Sequence, residues 1–103
     1  MKIPASSKTY FTGSRSFEYK GRSFLIKNAG QMSIAAPQPD GNVISVSWAK
    51  ESTGTPSVHL RRGTDGFGRS GEYFGTFEST EEMPSEYRAI AEVMIEAAIS
   101  YRP

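Results

Sequence analysis

VISVSWA, residues 43–49, alternates without a fault: Ile44, Val46 and Trp48 fall on one side and Ser45 and Ser47 on the other. Successive side chains of an extended chain point to opposite faces, so the pattern predicts a strand with one buried and one open face. A sheet built from such strands needs a cover on its apolar side only. The rest of the chain supplies more strands of the same kind, and then the cover.

Upstream, QMSIAA (31–36) reads as a strand ended by PQPDGN (37–42), whose prolines and Asp-Gly supply a turn. Before it, SFEYKGRSFLIKN (16–28) places Phe17 and Tyr19, then Phe24 and Ile26, at alternating positions around Lys20-Gly21. Glycine relieves the strain of positive φ in a tight turn, so this is a hairpin. Downstream, SVHLRR (57–62) turns Val58 and Leu60 inward and His59 and Arg61 outward, and EYFGTFE (72–78) gives a last strand. That strand has aromatics on both alternating sets, Tyr73 and Phe77 against Phe74. Alternation alone does not decide which set is buried.

The period changes at Met83. In MPSEYRAIAEVMIEAAISY (83–101), Pro84 suits the first helical turn, and Glu81, Glu82 and Glu86 lie near the positive end of the helix dipole. At helical spacing, Tyr87, Ile90, Ala91, Met94, Ile95, Ala97, Ala98 and Tyr101 form one broad arc, with Glu92 and Glu96 behind it. The expected fold is therefore α+β: an antiparallel β-meander of five to six strands with one C-terminal α-helix packed on one face. Residues 1–103 form a single domain, divided into a loose N-terminus (1–8), the meander (9–78) and the helix (83–101). Val93 and Ile99 stray onto the polar side of the helix, where they would serve a homodimer contact.

Composition narrows the function. The chain of 103 residues has no cysteine, which excludes disulfides, thiolate nucleophiles and sulfur-bound zinc. No apolar run exceeds three residues, so neither a secretory signal nor a membrane span is expected, and the chain reads as soluble and cytoplasmic. Ten Lys or Arg stand against four Asp or Glu up to Ser70, and two against seven from Gly71 onward, giving +6 and then −5. Either a basic binding surface is backed by an acidic one, or the two halves pair within the fold.

GTDGFGRSGEYFG (63–75) contains a literal GxGxxG. A phosphate-binding glycine loop of the dinucleotide type opens a helix whose free N–H groups hold the anion, and here a strand follows instead. The nucleotide P-loop needs Lys and Ser or Thr after its last glycine, and neither follows Gly71. What remains is a flexible hairpin loop carrying Phe67 and Arg69 beside Arg61 and Arg62. Aromatics and arginine are enriched at interface hot spots, so Arg61, Arg62, Phe67 and Arg69 are the expected partner-binding residues.

Catalysis finds little purchase. His59 is the one histidine, and an RNase-like site would need Arg61 and Glu72 to converge on it. Asp40 and Asp65 stand singly in turns, where aspartate is a turn former, so no metal and no cofactor is expected. The leading expectation is a non-enzymatic protein-interaction domain. In size and stand-alone form the chain resembles, as a class, the small phage- or mobile-element-type inhibitors that bind and block a host enzyme or defence complex, with no residue motif behind that likeness. The alternative is a single-stranded nucleic-acid-binding module using Arg22, Lys27, His59, Arg61 and Arg69 on the open sheet face and the glycine-rich loop.

Overall fold

The computed structural model describes residues 1–6, 12–29, 31–49, 54–67 and 70–101. Six strands follow one another in chain order: β1 (Gly13–Tyr19), β2 (Arg22–Asn28), β3 (Met32–Pro37), β4 (Val43–Trp48), β5 (Val58–Gly63) and β6 (Glu72–Phe77). They form one antiparallel meander in the order β1-β2-β3-β4-β5-β6. A short 3-10 turn at Thr80–Glu82 leads into the helix α1 (Ser85–Ser100), as the change of period at Met83 predicts.

The hairpin between β1 and β2 turns at Lys20 (φ 51°) and Gly21 (φ 76°), the two positive φ values of the tight turn that matches strand twist. On the helix side, Ile26, Ile34, Val46 and Leu60 stand in register across four strands. All four are fully buried. Ala91, Met94, Ile95, Ala97 and Ala98 from the helix are buried with them, so the predicted arc is the packed one. Alanine where helix meets sheet lets the backbones approach, while Met94 and Ile95 fill the space between.

The first residues are not loose. Ile3 is 4% exposed in the core, its N–H donates to Glu78 O (3.0 Å), and Thr80 N–H donates to Met1 O (2.9 Å). The Trp48 indole N–H donates to Pro4 O (3.0 Å). A buried apolar side chain and backbone pairing outweigh the chain entropy that the Ser and Pro content suggested. Residues 7 and 8 lie outside the described residues.

Two other expectations change. Ser45 and Ser47 are 1% and 6% exposed, so β4 is buried on both faces. Val93 and Ile99 are half-buried and pack against the core rather than forming an exposed contact. The acidic side of the helix is also tied down: Glu92 accepts from Thr80 Oγ1 (2.8 Å) and Glu96 pairs with Lys20 Nζ (3.3 Å). No helix among the described residues is long and apolar enough to cross a membrane.

Because Ile3 is a core residue, Ile3→Ala should lower the free energy of unfolding by about 2–5 kcal/mol, the usual cost of truncating a buried aliphatic side chain. A urea titration checks this, and an unchanged midpoint would return the N-terminus to a loose tail.

Candidate functional site

The face away from the helix is built from two in-register rows. One runs Lys27, Ser33, Ser47, His59, Thr76 from β2 to β6, and the other runs Leu25, Ala35, Ser45, Arg61, Tyr73. Small residues fill the middle, where Ser33 and Ser47 share a hydrogen bond of 2.9 Å. Long polar side chains rise at both ends.

Tyr73 reaches this face because the sheet slips. Leu60 pairs with Gly75 while Arg61 pairs with Tyr73, so Phe74 is the extra residue of a β-bulge. Gly75 takes φ 117°, a conformation that residues with a Cβ rarely adopt. The bulge breaks the alternation of β6: Phe74 turns to the helix side, with its ring 4.9 Å from that of Tyr87, and Tyr73 turns to the open face, 52% exposed. Phe77, opposite Val58, also lies on the helix side.

There His59 Nδ1 lies 2.8 Å from Tyr73 Oη and 2.9 Å from Thr76 Oγ1, and the two oxygens are 2.8 Å apart. The guanidinium of Arg61 sits over the Tyr73 ring at 4.8 Å. Burial, reinforced by the charge of Arg61, pushes the His59 pKa below its ordinary 6.5. His59 is therefore neutral at pH 7, and it serves as an anchor for Tyr73 rather than as a cation. Sequence reasoning missed Tyr73 and Thr76; the glycine inside β6 is the signal of a bulge that could have found them.

The loop after β5 comes back over this face. Phe67 stands 5.7 Å from Lys27 Nζ, although Lys27 belongs to β2, three strands away from β5. Ser45 and Ala35, in the middle of this face, are closed to solvent. The base of the loop is fixed: a Cβ on Gly71 would meet Arg62 O at 2.0 Å and Gly63 Cα at 2.6 Å. Thr64 Oγ1 and Ser70 Oγ hydrogen-bond across it (3.0 Å), and Phe67 N–H donates to Asp65 Oδ1 (3.0 Å). Its glycines thus serve close backbone approach at Gly71 as well as freedom, and β6 rather than a helix follows the GxGxxG.

The predicted site residues separate. Lys27, His59, Arg61 and Phe67 share the open face. Arg22 and Arg62 lie on the opposite one, in a groove of about 560 Å³ beside the first half of α1 that Asp40, Glu86, Tyr87 and Val93 also line. Arg62 Nη2 pairs with Asp40 Oδ2 at 2.8 Å. The Asn42 backbone N–H, aided by Arg62, holds the Asp40 carboxyl below its ordinary range. Glu72 is opposite Arg62 in the ladder and so on the far side from His59, which leaves the RNase-like constellation unassembled. Arg69 lies outside the described residues. Among the described residues no three His, Asp or Glu cluster as metal ligands would.

Comparison with protein-family models, with curated proteins and with solved structures finds no match to this chain.

Gly71→Ala should cost about 1–3 kcal/mol or more through overpacking at the loop base, whereas Gly66→Ala, with open space around it, should cost little. Thermal melts of the two variants make the comparison. The depressed His59 pKa sets a second expectation. The unfolded chain takes up the His59 proton first, so this contribution is complete above pH 6.5 and is lost as pH falls through the lower folded value. Unfolding free energy should drop as pH falls below the ordinary histidine value of 6.5, and His59→Gln should flatten that slope.

Proposed function

We propose that this chain is a non-catalytic binding domain that covers a protein partner with the open face of its sheet, using Arg61, Tyr73, Lys27 and Phe67. The observation that carries this reading is the stacked pair of Arg61 on an exposed Tyr73, held from below by His59 and Thr76. Tyrosine and arginine dominate interface hot spots, and a ring whose hydroxyl is already tied loses little freedom on binding. A rigid face of this kind acts by occlusion. We accordingly place the chain with inhibitors of the phage or mobile-element type, which block a host enzyme or defence complex by covering it.

The nucleic-acid alternative draws support from the same face, since Arg over Tyr and Lys over Phe make a stacking platform. Its phosphate track is weaker. Arg22 and Arg62 line the other side of the sheet, and neutral His59 leaves Lys27 and Arg61 as the cations of the two rows. Affinity for nucleic acid rests mainly on phosphate contacts, and two permanent charges make few of them. Two such charges beside aromatics are ample for an acidic patch on a protein.

Partners recovered from a lysate of the source cell by the wild-type chain should be lost by the Arg61→Ala and Tyr73→Ala variants. With the identified partner purified, each variant should weaken binding by about 2 kcal/mol, roughly 30-fold in Kd. The double variant should cost less than the sum, because the two side chains act as one unit. A single-stranded oligonucleotide titrated at two salt concentrations decides against the proposal if it binds tightly with a steep salt slope that Arg61→Ala reduces.

A further inference from the structure

The two edges of the sheet are treated differently. At the β6 edge, the bulge at Gly75 bends the strand, and the N-terminal arm closes the end beyond it through the Lys2–Ser79 bridge and the Ile3–Glu78 hydrogen bond. Bulges and covering segments are the usual means of keeping an edge from pairing. The β1 edge has none of these among the described residues. Its register with β2 runs unbroken from Gly13↔Asn28 to Tyr19↔Arg22, without proline or bulge.

The hydrogen-bond phase of that edge follows from the hairpin. A two-residue turn is closed by a hydrogen-bonded pair, here Tyr19 and Arg22, so Phe17, Arg15 and Gly13 also direct their backbone groups at β2. Ser14, Ser16 and Glu18 direct theirs outward, and all three are exposed. The strand has seven residues, and Ser16 is its middle.

We propose that β1 pairs with β1 of a second copy of this chain, antiparallel about a two-fold axis through Ser16. The two sheets become one of twelve strands with both helices on the same side. This occupant is favoured by the strand's match to itself. In the Ser16-centred register, Ser14 faces the partner's Glu18 and Arg15 faces the partner's Phe17, each twice, so no like charges stand directly opposite and a cation lies beside an aromatic ring. Ser14, Ser16 and Glu18 are then the residues whose outward N–H and C=O groups complete the ladder.

A second feature adjoins the same edge. On the helix side, Phe17, Tyr19 and Tyr101 line a groove of about 310 Å³ between β1 and the end of α1. Phe17 packs on Tyr101 (ring centroids 4.8 Å apart) and on Phe24 (5.9 Å), yet stays half-buried. Around the two-fold axis the two Phe17 rings lie diagonally across from each other, and the apolar area they bury adds to the strand ladder. A ladder of one strand with a short aromatic seam is a small interface, so the dimer is concentration-dependent.

Sedimentation velocity over about a hundredfold range of concentration should show the mass rise from that of the 11.3 kDa chain towards twice that value. Ser14→Glu sets carboxylates opposite Glu18 of the partner copy and should shift the midpoint of association at least tenfold. The Ser14→Glu/Glu18→Lys double variant should restore it, because the charges then oppose. Ser16→Pro removes an outward N–H that the hairpin does not use, and should leave a folded monomer by circular dichroism. A wild-type chain that stays monomeric throughout would overturn the proposal. So would a dimer that neither Ser14→Glu nor Ser16→Pro weakens, or one that the double variant fails to restore.

Discussion

Ile26, Ile34, Val46 and Leu60 form an unbroken, fully buried line across four strands, and everything else is arranged by what lies above and below that line. Above it the helix must come close, which the alanines at 91, 97 and 98 allow. Below it the same four strands turn their alternate residues outward, and there small side chains keep the surface shallow enough for a returning loop. One face of the sheet is thereby committed to stability. The other is available for contact.

The bulge in β6 divides labour between neighbouring aromatics. Without the extra residue, Phe74 would share a face with Thr76 and Tyr73 would point at the helix. With it, Phe74 joins Tyr87 in the core and Tyr73 becomes a rigid exposed ring tied to His59 and Thr76. A single backbone conformation that only glycine adopts readily thus decides whether the open face carries an aromatic anchor.

The meander, its tight hairpin and the helix were legible because each has a period: two residues around VISVSWA, and helical spacing from Tyr87 to Ala98. Features that depend on residues far apart in the chain were not legible. Ile3 sits in a stretch with the composition of a tail, and only the distant Glu78 and Thr80 make it a core residue. Arg61 and Arg62 are adjacent in sequence and read as one basic cluster, yet the pleat sends them to opposite faces, one to Tyr73 and the other to Asp40. Phe67 stands out in the sequence as the aromatic of a glycine-rich loop, but its position beside Lys27 of a strand far back in the chain is something no local pattern encodes.

The arm that closes the β6 edge also fixes the order of assembly. During synthesis Ile3 emerges well before Glu78, Thr80 and the helix that complete its surroundings. The hairpins form one after another from neighbouring segments, but their apolar side has no lid until α1 appears. A half-made chain therefore presents a bare, sticky sheet to the cell. Burial of the core waits for α1 to leave the ribosome.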